Sequence, residues 1–266
     1  VISLIEILKE VLQSPKAIIL AGAPGSGKGF VLKGLDLGGL KVFNLDDNYI
    51  KLLKQANVSL DLKRASADDR SKSAQAMVQA TQQLKKQQIP NSILNKESFV
   101  LDGTAASFKQ TSLLKNKLEE AEYEVFMLYV YTSLERSLIQ NQDRFEKSGG
   151  EDRSIAPSLV LRTWNSVTQN YNPYRELFGN NFISVANTLE DEELRDLESL
   201  TKQYLDPFKA KNTIPKDDKA QARSNKSKEQ LTLSVKSLLN NKVVQNIVDN
   251  SVSKEEAQNK IKQFLN

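Results

Sequence analysis

The stretch Gly22-Ala23-Pro24-Gly25-Ser26-Gly27-Lys28-Gly29 constrains this chain more than any other. It fits the pattern G-x-x-x-x-G-K, and its flanks agree with it. The apolar run Ala17–Ala21 before it predicts a buried strand, and Gly27–Leu37 after it predicts a helix. Strand, glycine-rich turn and helix in that order aim successive backbone N–H groups at one anion. The helix N-terminus adds the positive end of its dipole. Gly22, Gly25, Ser26, Gly27, Lys28 and Gly29 are therefore candidate nucleotide-binding residues. Lys28 is placed to reach the β- and γ-phosphates of ATP or GTP. Gly29 stands where the standard loop has a Ser or Thr whose hydroxyl binds Mg²⁺. Magnesium is thus expected to be held mostly through waters and the nucleotide.

Composition narrows the chemistry further. The 266 residues include neither cysteine nor histidine. Disulfide frameworks, thiolate nucleophiles, imidazole bases and His-ligated zinc are excluded, and acid–base work falls to carboxylates, Lys or Tyr. Phosphoryl transfer tolerates this, because it relies on positioning and charge more than on covalent catalysis. No run reaches the ~18 apolar residues of a membrane span. The segment Val1–Leu12 has helical spacing without the basic start or cleavage site of a signal peptide, so a packed amphipathic helix and a cytoplasmic location are expected.

Five runs predict strands: Ala17–Ala21, Lys41–Leu45, Ser98–Leu101, Glu124–Tyr131 and Phe182–Val185. Helical stretches separate them, at roughly Gly27–Leu37, Asp47–Gln55, Asp68–Gln88, Ser107–Ala121, Ser133–Lys147 and Ser158–Leu177, with a further one at Glu190–Leu205. Alternation of this kind predicts an α/β three-layer sandwich around a five-stranded parallel sheet. After Pro207 the texture changes. Residues 209–230 are polar and basic, with seven Lys or Arg from Lys209 to Glu229 against three acidic residues, and read as a linker. Residues 231–266 form a helical C-terminal extension, with apolar stripes at Leu231, Val235, Leu238, Leu239 and at Val243, Val244, Ile247. Short helices are marginal alone. They are expected to dock on the core, on another copy, or on a protein partner, and residues 1–208 are expected to fold without them.

Ligands of such sheets sit beyond the C-terminal strand ends. After the second strand come Asp46 and Asp47, one expected to orient or deprotonate an acceptor hydroxyl and the other to cap the next helix, with Asp46 favoured for chemistry. After the third comes Asp102-Gly103-Thr104, where Asp102 is placed to orient magnesium-bound water. After the fourth come Arg136, Arg144 and a segment with Gly149, Gly150 and Arg153, read as a lid whose Arg144 and Arg153 close over the phosphates. Trp164, Tyr171, Tyr174 and Phe178 read as core.

Together these residues resemble the P-loop kinase group that contains zeta toxins, polynucleotide kinases, chloramphenicol phosphotransferase and adenylate kinases. The resemblance spans roughly Lys16 to Thr188. It rests on Gly22–Gly29, Asn44-x-Asp46-Asp47, Leu101-Asp102-Gly103 and the arginine-bearing segment ending at Ser154-Ile155-Ala156-Pro157. It implies a P-loop kinase fold and an ATP- or GTP-dependent phosphotransferase using Mg²⁺. It also implies that Asp46 or Asp47 is the base and that Arg144 and Arg153 are lid arginines. Pro24–Gly29 is similar to the adenylate kinase variant of the loop, which continues with Thr where this chain has Phe30. Adenylate kinases follow Asp-Gly with Phe-Pro-Arg; here Thr104-Ala105-Ala106 follows, which points away from AMP. The acceptor is expected to carry a hydroxyl, as a sugar, nucleoside, polynucleotide end or small metabolite does. A second reading is a catalytically weak nucleotide-binding or structural protein of a larger assembly such as a virion, resting on Gly29, Phe30 and the C-terminal extension. The basic linker adds a minor expectation of nucleic-acid contact.

Overall fold

The computed structural model describes residues 14–187 and 230–265, apart from 34, 36, 38, 39, 63, 64, 150, 151, 153, 154, 232 and 239–241. The expected helices at Val1–Leu12 and Glu190–Leu205, and the linker up to residue 229, lie outside the described residues.

Five strands, β1 (Lys16–Ala21), β2 (Lys41–Asn44), β3 (Phe99–Asp102), β4 (Glu124–Tyr131) and β5 (Phe182–Ala186), form one parallel sheet in the order β2-β3-β1-β4-β5. Side chains alternate across it with the period of two that a strand imposes. In β4, Val125, Met127, Tyr129 and Tyr131 enter the core on one face, and Phe126, Leu128 and Val130 enter the core on the other. Burial on both faces explains why β1 and β4 read as unbroken apolar runs.

The helices are α1 (Lys28–Leu32), α2 (Leu45–Gln55), α3 (Ala67–Gln82), α4 (Ile89–Leu94), α5 (Phe108–Glu120), α6 (Leu134–Lys147), α7 (Pro157–Gln169), α8 (Tyr171–Phe178), α9 (Val243–Asp249) and α10 (Lys254–Leu265). Three differ from the pattern expected of the sequence. Helix α1 stops at Leu32, before the glycines at 34, 38 and 39 that weaken helix propagation. The helix expected to end at Gln88 instead passes through a π-helical turn, Gln83–Gln88, into α4. That widened turn lets the chain continue past Pro90, which has no N–H for an α-helical bond. The helix expected over Ser158–Leu177 breaks at Asn170. Pro173 cannot donate to the carbonyl of Gln169, and the Asn170 side chain turns away to donate to the carbonyl of Ala106 at 3.0 Å. Trp164, Tyr171, Tyr174 and Phe178 are buried in the core as expected.

Of the surfaces open to them, the C-terminal helices take the core. Val235 and Leu238, in the helical segment 233–238, and Ile247 of α9 are buried beside β4, α7 and α8. Ala257 and Ile261 of α10 are fully buried on the opposite face, against Val31 and Leu35. Between α9 and α10, Val252 donates its N–H to the carbonyl of Ser184 at 2.8 Å and forms a parallel bridge with Val185, on the outer edge of β5. Ser253-Lys254-Glu255-Glu256 starts α10 with the S-x-x-E arrangement, and Ser253 Oγ accepts from the N–H of Glu256 at 3.1 Å. The Gln258 amide then donates to the carbonyls of Val31 and Lys33, at 2.9 and 3.2 Å, closing the open end of α1. Lys254 Nζ lies 3.7 Å from the ring centroid of Phe30, which is 59% exposed.

Candidate active site

The loop between β1 and α1 is held by its own chemistry. Gly27 precedes α1 at φ 86°, a left-handed conformation that a side chain resists, and an added Cβ would collide with Asn187 Nδ2. At Gly22 an added Cβ would stand 2.6 Å from Ser26 Oγ and from the Val130 carbonyl. Three side chains brace the loop from outside it. Asn187 Nδ2 donates to the carbonyl of Ser26 at 3.0 Å. Ser137 Oγ donates to the carbonyl of Pro24 at 2.5 Å. The Gln140 amide, oriented to satisfy both of its ends, donates to the carbonyl of Gly25 and accepts from Arg136 Nε. The hydroxyl of Ser26 is buried without a hydrogen-bond partner. Lys28 Nζ donates to the carbonyls of Gly22 and Ala23, at 2.9 and 3.2 Å.

At the end of β2 the cap of α2 is Asn44, not an aspartate. Its Oδ1 accepts from the N–H of Asp46 at 2.8 Å, while its Nδ2 donates to Asp102 Oδ2 at 3.0 Å. The expectation that Asp46 or Asp47 caps the helix is therefore corrected. Asn44 is the better cap because its amide serves both the helix and the neighbouring strand end, and both carboxylates fall in the first turn, near the positive dipole end.

A cleft of about 560 Å³ gathers these parts. It is lined by the loop from Pro24 to Gly29, by Asn44 and Asp46, by Asp102–Thr104, and by Met77, Gln140, Arg144 and Ile155. Asp47 lines a separate shallow cleft with Lys51 and Lys54. Burial pushes the Lys28 ammonium below its ordinary value, against the pull of Asp102 and Asp46 and together with the repulsion of Arg144. Burial likewise raises the Asp102 carboxyl, opposed by Lys28 and reinforced by Asp46 and Asp47. Each group is thus electrically coupled to the others, as expected where charges converge on one ligand. Arg144 forms an ion pair with Asp152, within the segment read as a lid. Arg153 lies outside the described residues. Gly29 contributes no side chain, and a Cβ built on it meets nothing within 4 Å.

Sequence reasoning named Asn44 only within a motif and missed its capping role, and it missed Ser137, Gln140 and Asn187 altogether. Asn44 carries a local signal, an Asn directly before a helix. The other three brace the loop across long separations, 161 residues between Asn187 and Ser26, and nothing local marks them.

The parallel sheet, the loop between β1 and α1, and carboxylates at the ends of β2 and β3 define a P-loop kinase. The model of the zeta toxin family matches residues 4–187, and the chain belongs to that family of phosphotransferases. Among solved structures, it is similar to the ATP-containing AvrRxo1-ORF1:-ORF2 complex at 17% identity and a TM-score of 0.50, covering 94% of this chain and 81% of the other. It is also similar to a structure of the PezAT chromosomal toxin-antitoxin system of Streptococcus pneumoniae at 14% identity and a TM-score of 0.47, covering 72% and 78%. No curated protein matches the chain. Among the described residues no helix is long and apolar enough to cross a membrane.

Proposed function

We propose that this zeta toxin family protein transfers the γ-phosphoryl group of ATP or GTP to a hydroxyl group of a small acceptor, a nucleotide or a polynucleotide end. The observation that carries the reading is the single cleft into which the loop, Asp46, Asp102 and Arg144 all converge. The loop amides and Lys28 hold the phosphates, and the unpartnered Ser26 hydroxyl is the kind of buried group that a phosphate or its water satisfies. Asp46 receives the proton of the acceptor hydroxyl as its oxygen attacks the γ-phosphorus. The bond from that phosphorus to the β,γ-bridging oxygen breaks, leaving a nucleoside diphosphate. Arg144 neutralises charge on the transferred group, and Arg153 is proposed to do the same from the lid.

The residues fit magnesium held through water. Among the described residues no group of three acidic side chains could cage a cation, which suits an ion that keeps several waters. One oxygen of Asp102 is occupied by Asn44, and the carboxylate faces the same cleft as Gly29, whose open position leaves room for a hydrated ion. When bound, Mg²⁺ offsets the charge of the β- and γ-phosphates.

The test is a crystal structure with ATP and Mg²⁺, read beside the rate of ADP release. Ordered triphosphate on the loop, metal density beside Asp102 and Mg²⁺-dependent ADP release are expected. An empty loop, or bound ATP that is not consumed with any hydroxylated acceptor, overturns the reading in favour of a structural protein.

A further inference from the structure

Helix α6 carries a row of contacts on one face. Ser137, Gln140, Asn141 and Arg144 stand at i, i+3, i+4 and i+7, the spacing that brings side chains to one side of a helix. The first two hold the carbonyls of Pro24 and Gly25 in the phosphate loop. The last two hold the chain that follows the helix. Asn141 Nδ2 donates to the carbonyl of Ile155 at 3.0 Å, and both residues are buried. Arg144 pairs through Nε with Asp152 Oδ2. Gln140, Arg144 and Ile155 all line the phosphate cleft.

The return of the chain to Arg144 is built locally. Gly149 sits just past the end of α6 at φ 64°, in the left-handed conformation that turns a chain away from its helix. Ser148 Oγ accepts from the N–H of Asp152 at 3.1 Å, which fixes the backbone carrying the carboxylate. The Asp152 side chain is 18% exposed and the Arg144 side chain 59%. The carboxylate is therefore the anchored partner and the guanidinium the held one. Nε is the inner nitrogen of the fork. A carboxylate on Nε leaves the two terminal nitrogens, with their four N–H groups, for another anion. Among the described residues no further hydrogen bond or ion pair engages Arg144.

We infer that Asp152 is a positioning residue for phosphoryl transfer: it holds the Arg144 guanidinium at the cleft by Nε and so keeps the terminal nitrogens for the γ-phosphate. The inference rests on the phosphotransferase reading. A long side chain left free must be ordered each time a phosphate arrives. Asp152 orders it beforehand, and the face of α6 ties that placement to the loop through Ser137 and Gln140. A role in stability alone explains the pair less well. An ion pair with so exposed a partner adds little to a fold. The bonds of Ser148 and Asn141 also fix this stretch of chain without it. The charge of Arg144 reaches the catalytic groups, since it acts on both Lys28 and Asp102.

The test uses the full chain in Asp152→Ala, Asp152→Asn, Arg144→Ala and the double alanine variant. ADP release from Mg·ATP gives kcat and KM. Calorimetry gives affinities for ADP and for adenylyl imidodiphosphate, an ATP analogue that keeps a γ-phosphate, and scanning calorimetry gives Tm. Asp152→Ala is expected to lower kcat about ten- to a hundredfold, the cost of a displaced catalytic group. The preference for the analogue over ADP should fall in Asp152→Ala and Arg144→Ala alike, with Tm near that of the parent. Adding Asp152→Ala to Arg144→Ala should cost nothing more, because Asp152 acts through that side chain. Asp152→Asn, whose amide oxygen still accepts from Nε, should recover part of the loss. Additive losses in the double variant, or a lower Tm with kcat unchanged, overturn the inference in favour of a structural pair. A rise in kcat or in analogue affinity makes Asp152 a competitor of the phosphate and overturns it equally. A parent chain that binds both nucleotides but releases no ADP fails the kinase reading, and the preference for the analogue over ADP then still decides whether Asp152 positions Arg144.

Discussion

The two faces of the sheet are closed by very different means. One face is covered by α5, α7 and α8, which connect to neighbouring strands by short turns and bring Trp164, Tyr171, Tyr174 and Phe178 into the core. The other carries the phosphate loop and is covered, among the described residues, by the five-residue α1 together with α10. Gln258 of α10 caps Val31 across 227 residues of sequence. A helix as short as α1 cannot hold itself in register. Both faces draw apolar side chains from the C-terminal segment, but only on the face with α1 does that segment also close a helix end, through Gln258.

Removing residues 230–266 tests that asymmetry with the largest effect. Val235, Leu238, Ile247 and Ile261 are buried in the core and go with the segment, so the core side chains they pack against lose their cover. At about 1.5–3 kcal/mol for each large aliphatic side chain, the loss is on the order of a domain's whole stability. The truncated chain is expected to aggregate or to melt without cooperativity in scanning calorimetry. A truncated chain that melts like the full one would show that the extension is the separable appendage its polar linker predicts.

Lys28→Ala acts on the same face in the opposite sense. ATP affinity is expected to fall at least tenfold by calorimetry, about 1.4 kcal/mol. Thermal stability should hold or rise. Burial lowers the pKa of Lys28, so keeping the ammonium charged costs the fold stability at any pH below its unfolded value, and the alanine escapes that cost. Equal ATP affinity in both proteins would break the phosphate-loop assignment.

Gln258→Ala removes two hydrogen bonds to the end of α1 and leaves the α10 core intact. A loss of about 1 kcal/mol in urea unfolding is expected, with ATP affinity reduced less than by Lys28→Ala. No change in stability would show that α1 is fixed by its apolar contacts alone.

Much of this architecture was legible in the sequence. The loop, the five strands and the carboxylates at strand ends all have local signatures, because a phosphate turn and a buried parallel strand each restrict a few adjacent residues. The breaks at Pro90 and Asn170 were harder to read. Proline removes one donor in both places, but whether the chain widens into a π turn or starts a new helix depends on what packs beside it. That α10 forms and needs a surface was legible; which of the core, another copy or a partner covers it was not. Its stripe of Ala257 and Ile261 says that a surface must cover it, and only tertiary structure says that the surface is the sheet face with α1 and β5. The same holds for Asn44, whose bond to Asp102 joins β2 to β3.

The central claim is that Asp46 does the proton chemistry of a kinase while Asp47, one residue away, does not. It is tested most directly by the rate of Mg²⁺-dependent ADP release, with and without added alcohols, in Asp46→Asn and Asp47→Asn beside the parent chain. Asp46→Asn is expected to slow release by about 10²- to 10⁴-fold, with ATP affinity by calorimetry unchanged, the mark of an interaction made in the transition state. Asp47→Asn, facing the other cleft, should stay close to the parent rate. An unaltered rate in Asp46→Asn contradicts the account, and a collapse in Asp47→Asn alone would move the chemistry to the neighbouring carboxylate.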